Sequence, residues 1–218
     1  MRIKTVIFDL DGTLIDSSEG IVEAFNYALR QFNLPEQPHE IITPLIGFPL
    51  DSMFLELTGK SMPEMKSAFR TKAMETVVNS SRSLRGVNEV VESLFNSGYK
   101  MGIATTKIRA HIDGILAKLE WEEFFEAVIG GNEVSQVKPH PEQFESLLAK
   151  MKSNCASTVV VGDTINDILA ARQLGITEIA VRSPYGNSIK VQQLKPHFFM
   201  EDISELPDIL SELNLRDK

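Results

Sequence analysis

Asp9 and Asp11 stand one residue apart directly after Val6-Ile7-Phe8, an apolar run suited to a buried strand. Three other apolar runs end in a similar way. Met101–Ala104 leads into Thr105-Thr106-Lys107, and Ala127–Ile129 leads through a short loop into Lys138-Pro139. Thr158–Val161 leads into Gly162-Asp163-Thr164 and then Asn166-Asp167. Two carboxylates ~5 Å apart in a medium of effective dielectric ~20 repel by roughly 3 kcal/mol, so Asp9, Asp11, Asp163 and Asp167 cannot share one edge without compensation. A hard divalent cation compensates them, and an oxygen-only donor set with no His or Cys beside it favours Mg2+ over Zn2+. Mg2+ takes few protein ligands and keeps waters, which leaves room for a phosphate oxygen. A metal, a lysine, a threonine hydroxyl and free backbone N–H groups together suit phosphoryl transfer, which needs charge neutralisation and in-line placement. A carboxylate can be the nucleophile, and a second carboxyl nearby can serve as acid and base.

Each stretch also has a purely structural reading. Asp11-Gly12 suits a turn. Thr105 or Thr106 suits the N-cap of a helix beginning near Lys107. Thr164 with Asp167 three residues on suits a capping box. Lys138 is held extended by Pro139 but could simply be solvated. An EF-hand fails, because with Asp9 at the first position the sixth is Leu14 and the twelfth Gly20. Taken together, the structural readings leave four acids crowded with nothing to neutralise them.

The elements that must position these residues follow from the hydrophobic pattern. The strand-like runs Thr5–Phe8, Met101–Ala104, Ala127–Ile129, Thr158–Val161 and Ile179–Val181 lack polar alternation, as strands buried on both faces do. Between them Val87, Val90, Val91, Leu94 and Phe95, and later Phe144, Leu147, Leu148 and Met151, repeat at helical spacing. The expected fold is α/β, a doubly wound parallel sheet, and in such sheets ligands lie beyond the carboxyl ends of the strands. From Ser17 to about Leu84 the pattern is helical only: a stripe of Ile21, Phe25, Ala28, Leu29 and Phe32, then helices over 50–58 and 63–78. We expect a core of residues 1–16 plus 85–218 and an inserted helical cap of 17–84, with a last short helix from Pro207.

Composition narrows the partners. The chain has 218 residues, 43% hydrophobic and 24% charged, enough to bury a sizeable core. Lys+Arg 22 against Asp+Glu 30 gives a net charge of −8, a poor match for nucleic acid or an anionic membrane. The single cysteine, Cys155, allows no internal disulfide and is expected to be buried and inert. Without a signal-peptide pattern or a membrane-length apolar run, the expectation is a cytoplasmic protein. A monomer is the expected quaternary state.

The stretches "FDLDGTLIDS", "IATTK", "VKPHPE" and "VVVGDTINDILAAR", in that order, resemble the four motifs of the haloacid dehalogenase-like (HAD) hydrolases. The helical insertion after the first motif is similar to the subgroup with a helical cap. Within it the chain looks most like the phosphoglycolate phosphatases and their pyrophosphatase relatives. The resemblance implies a Rossmann-like core and Asp9 as nucleophile and metal ligand. It implies Asp11 as acid and base, with its backbone carbonyl on the metal. It makes Thr105, with the N–H groups of Leu10 and Thr106, the phosphoryl holder, and Lys138 the neutralising cation. Asp163 would ligate Mg2+ directly and Asp167 mainly through water. Gly12 and Thr13 would open a flexible turn toward the cap, and Gly47 in "IGFPLDS" would let a cap loop approach the substrate. The charges on Lys60, Lys66, Arg70 and Lys72 could meet a substrate carboxylate, but spread along helices they read as a solvated cap face. Arg85-Gly86 departs from the Pro-Gly of many relatives, and Asp11 argues against dehalogenation. The implied function is a Mg2+-dependent phosphatase for a small phosphorylated metabolite, working through an aspartyl-phosphate. Inorganic pyrophosphatase of the same group is the alternative. A sugar phosphomutase lacks its basic cap residues here, and a receiver domain lacks the length and inserted cap.

Overall fold

The computed structural model describes residues 2–186 and 188–216. The elements in chain order are β1 (Thr5–Phe8), β2 (Ile15–Asp16), α1 (Ser18–Gln31), α2 (His39–Ile42), α3 (Leu50–Thr58), α4 (Pro63–Ser80) and β3 (Arg82–Ser83). Then come α5 (Val87–Asn96), β4 (Lys100–Ala104), α6 (Arg109–Leu119), β5 (Ala127–Ile129), α7 (Glu142–Lys150) and β6 (Thr158–Gly162). The chain closes with α8 (Ile165–Gln173), β7 (Thr177–Val181), α9 (Ser188–Gln193), β8 (Phe198–Met200) and α10 (Leu206–Arg216).

Six strands form one sheet in the order β5-β4-β1-β6-β7-β8, each neighbouring pair parallel. This is the Rossmann-like α/β fold expected. The continuous apolar runs are explained by helices on both faces: Val6 and Phe8 pack into one core cluster and Ile7 into the other. β1 lies between β4 and β6, with Phe8 level with Ile103 and with Val161. That register brings the residues just after all three strands to one edge.

Helix stripes bury as their spacing dictates. Val87, Val90, Val91 and Leu94 are inside, whereas Phe95 at the end of the stripe is 42% exposed and packs edge-on against Phe124 at 5.3 Å. Between β2 and β3 the chain is helical. Phe25 stacks on Phe54 at 4.2 Å, and Phe69 meets both edge-on, so α1, α3 and α4 share an aromatic centre.

Three expectations need correction. Arg82–Ser83 was expected inside a purely helical stretch but pairs antiparallel with Ile15–Asp16. This ribbon joins the two points where the chain leaves and re-enters the sheet, and two-residue strands carry no period to read. Phe198–Met200 adds an edge strand too short to show a pattern. Cys155 is only half-buried, at the start of a single 3₁₀ turn. Among the described residues no helix is long and apolar enough to cross a membrane.

Candidate active site

The carboxyl edge of the sheet gathers the residues singled out above. Asp9 follows β1, Thr105 follows β4 and Asp163 follows β6, while Asp167 is on the first turn of α8. Asp9, Asp163 and Asp167 each offer a carboxylate oxygen, and these oxygens lie within 4.8 Å of one another. All three residues are buried. Lys138 enters the cluster with its side chain 2% exposed. Its Nζ donates to Asp9 Oδ1 at 2.7 Å, to Asp167 Oδ1 at 2.6 Å and to the Ala104 carbonyl at 2.8 Å, which uses all three of its N–H bonds. The loop before it is braced by buried Gln143, whose amide donates to the Thr105 carbonyl at 2.8 Å and accepts from the Lys138 N–H at 3.3 Å.

The structural reading of Thr164 and Asp167 holds. Thr164 and Asp167 form a capping box, with Asp167 Oδ2 accepting from the Thr164 N–H at 3.1 Å and from its hydroxyl at 2.6 Å. Both oxygens of Asp167 are therefore engaged. Asp163 is held differently: Thr13 donates to its Oδ1 at 3.1 Å and Ser183 to its Oδ2 at 2.6 Å. Gly12 explains why the turn after Asp11 contains glycine. Its φ is +82°, and a Cβ there would sit 2.3 Å from Asp163 Oδ2.

Three carboxylates and one ammonium leave two net negative charges if all are ionised, and the electrostatics register that excess. Burial is the largest influence on Asp9; Lys138 pulls it down, Asp167 pushes it up, and the balance leaves it at about 7. Asp163 stands well above the carboxylate range through burial and then the charges of Asp9 and Asp167. For Lys138 burial opposes the charge, but Asp167 and Asp9 outweigh it and raise the ammonium above its ordinary value. A divalent cation would bring the formal charge to zero. The donor set is oxygen-only, so the residues present fit a hard cation such as Mg2+.

Asp11 is buried but lies outside this cluster. Its Oδ1 accepts from Lys107 Nζ at 2.8 Å and from the Ser17 hydroxyl, and Lys107 also reaches Ser17 Oγ at 3.2 Å. Thr105 is 1% exposed, and its Oγ1 accepts from the Lys107 N–H at 3.3 Å. Beside these residues a cavity of about 80 Å³ opens under the helical segment; Asp11, Thr106, Lys107, Gly47, Phe48 and Arg70 are among its walls. Gly47, with φ +93°, is one of these walls. Leu10 is fully buried between the two aspartates.

Several neighbours were not anticipated. Lys107 was read only as part of a helix start, although a cation two residues beyond a strand-end threonine is a signal of its own. Arg70, assigned to a solvated face with Lys66 and Lys72, lines the cavity instead, while those lysines pair with Asp51 and with Glu23 and Glu75. Ser183 and Tyr185 come from the loop after β7, a strand end not considered. The Tyr185 hydroxyl accepts from the Ser17 N–H and donates to Asp16, each at 3.2 Å, tying this loop to the point where the helical segment begins. Lys60 has its backbone bonded to Thr58 and takes no part in the site.

The model of the family described as "Haloacid dehalogenase-like hydrolase" matches residues 6–181. The protein "Pyrophosphatase PpaX" of Bacillus mycoides is 32% identical over 214 residues, covering 98% of this chain and 100% of that protein. Among solved structures, a "predicted phosphoglycolate phosphatase" from Haemophilus somnus is 28% identical, with a TM-score of 0.86 over 96% of this chain and 98% of its own. A "predicted phosphatase" from Clostridium acetobutylicum, at 20% identity and a TM-score of 0.90 over 97% of this chain and 100% of its own, shares the fold. With the family model covering most of the chain and the relatives matching end to end, the chain belongs to the haloacid dehalogenase-like hydrolases and is an enzyme of their phosphatase branch.

Proposed function

We propose that this enzyme hydrolyses a small phosphomonoester with Mg2+ as its metal and Asp9 as its nucleophile. The observation that carries the reading is the buried set of Asp9, Asp163 and Asp167 around Lys138, with Asp11 beside it but outside it. Asp9 and Asp163, with the Asp11 carbonyl, would hold Mg2+, which when bound neutralises charge on the transferring phosphoryl. Asp167, engaged through both oxygens, acts from one shell further out.

An Asp9 oxygen attacks phosphorus as the bond to the leaving oxygen breaks, and Asp11 gives that oxygen its proton. Lys107 and Ser17 both contact Asp11 Oδ1, so the proton is assigned to Oδ2. Water then attacks the aspartyl-phosphate, Asp11 takes a proton from it, and inorganic phosphate leaves with Asp9 restored. Lys138 orients Asp9 and offsets its charge. The Thr105 hydroxyl and the N–H groups of Leu10 and Thr106 donate to the phosphoryl oxygens. Residues 17–84 act as a cap over the core of 1–16 plus 85–218, and Gly47 and Phe48 exclude bulk water on closure. The test is Asp9→Asn. It should fold normally and lose phosphate release by at least about a thousandfold, in line with removing a nucleophile; turnover near that of the wild type would refute the mechanism.

The end-to-end similarity to a protein named pyrophosphatase favours a second reading, in which the leaving group is itself a phosphate. Phosphate release from pyrophosphate and from organic monoesters, measured side by side with Mg2+ and with chelator, separates the two.

A further inference from the structure

Ser17 is the N-cap residue of α1, yet its side chain makes no capping hydrogen bond. A serine in that place ordinarily accepts from a backbone N–H of the first turn. Here the hydroxyl turns the other way and donates to Asp11 Oδ1, which also accepts from Lys107 Nζ at 2.8 Å. The N–H groups that open a helix still need partners, because the helix itself has none for them. Two side chains supply them. Asp16 Oδ1 accepts from the Ser18 N–H at 2.9 Å, and the Tyr185 hydroxyl accepts from the Ser17 N–H at 3.2 Å. The same hydroxyl donates to Asp16 Oδ1 at 3.2 Å, so one tyrosine from the loop after β7 grips both residues at the root of α1. Tyr185 is itself fixed: its side chain packs in the main core cluster, and its N–H donates to Ser183 Oγ at 3.1 Å. Tyr185, Ser17 and Asp11 are all buried, and hydrogen bonds join them in that order.

We propose that Tyr185 is a positioning residue for proton transfer: its hydroxyl holds the Ser17 backbone so that the Ser17 hydroxyl can hold Asp11 Oδ1, which leaves Oδ2 to protonate the departing oxygen. The inference rests on the proposed role of Asp11 and goes beyond it by naming what orients that carboxyl. The two oxygens turn together about one bond, so fixing one sets the direction of the other. Lys107 holds the same oxygen from a flexible four-carbon stem. Ser17 has a short side chain, so where its hydroxyl lies is set by where its backbone is held. Without the tyrosine hydroxyl the buried Ser17 N–H has no partner, and the chain around Ser17 must shift to find one, taking the serine hydroxyl with it. A purely structural role for Tyr185 would instead lower stability and every rate together.

The discriminating measurement is a ratio of leaving groups. Acetate leaves phosphorus without a proton, whereas an alcohol needs one. With Mg2+ and enzyme in excess over substrate, release of acetate from acetyl phosphate is compared with release of alcohol from short alkyl phosphates, which isolates the bond-breaking step. Tyr185→Phe keeps the ring and the backbone N–H, and so keeps the contact that leads through Ser183 to Asp163. It should slow the alkyl phosphate that the wild type cleaves best by about tenfold or more, part of the ~10²–10⁴ that a placed acid supplies, and acetyl phosphate by no more than about threefold. Ser17→Ala should shift the ratio likewise, and Tyr185→Phe added to it should shift it no further, because the two residues act in series. Equal losses on both substrates, no loss on either, or shifts that multiply in the double variant overturn the proposal. If Tyr185→Phe does not fold, Ser17→Ala carries the test: a shifted ratio supports the proposal and an unchanged one overturns it. In Asp11→Asn the ratio should move at least as far. A wild-type ratio there breaks the reading of Asp11 as the acid and this inference with it, whereas a moved ratio there beside an unmoved one in Tyr185→Phe breaks this inference alone.

Discussion

Replacing Lys138 with methionine removes the ammonium from the centre of the site while keeping an unbranched apolar stem of nearly the same length. The ammonium sits 2.7 Å from Asp9 and 2.6 Å from Asp167, donates also to the Ala104 carbonyl, and has no exposure to spare. Its own pairing adds little net stability over an apolar core, because burying the ions costs several kcal/mol each. Removing one partner is a different case, since it strands buried carboxylates, and such losses run to about 3–5 kcal/mol. For a chain of this size each kcal/mol moves Tm by about 2–4 °C, so Lys138→Met in chelator should melt about 6–20 °C below the wild type. The loss should be smaller in acid, where Asp9, at about 7, can take up a proton and shed its charge. Mg2+ should recover much of the stability without recovering phosphate release. The assay is thermal unfolding followed by circular dichroism, with and without Mg2+ in mildly alkaline buffer. A metal-free melting point within about 2 °C of the wild type would correspond to less than about 1 kcal/mol and refute the reasoning that this ammonium balances the cluster.

Two further predictions follow from the same geometry. In the metal-free wild type Asp9 is raised in the folded state, so the folded protein holds a proton that the unfolded chain releases from about pH 4 upward. Stability should therefore fall as pH rises from about 4 to about 7 and level off above, and Mg2+ affinity should rise over the same window with release of a proton. Calorimetric titration in buffers of different ionisation enthalpy reads that proton directly; binding without proton exchange below about pH 7 would contradict it. Gly12→Ala would place a methyl 2.3 Å from Asp163 Oδ2 at a φ of +82°, so Asp163 must move. We expect Mg2+ affinity to drop about tenfold or more, the scale of disturbing groups that orient a metal ligand, and unchanged affinity in a magnesium titration would show that the close approach does not matter.

What the sequence determined by itself was the chemistry and the scaffold beneath it. Apolar runs without alternation dictated a sheet covered on both faces, and a parallel sheet puts everything that follows its strands on one edge. Asp9, Thr105, Lys138 and Asp163 were legible for that reason: each is a polar residue directly beyond such a run or in the loop after one. Their types then left few compensations for the charge. Tertiary structure decided the partners of those residues. Nothing local tells Lys107 to bond Asp11 or Ser183 to bond Asp163, because these pairs are set by strand order and by where distant loops come to rest. Arg70 shows the same limit. On a helix, charge spacing reads as a solvated face until the packing of that helix against another surface is known. His111, on α6 beside the cavity, marks the limit most plainly: its Nε2 is buried without a partner, and an unpaired atom is a property of the packed interior that no pattern along the chain encodes.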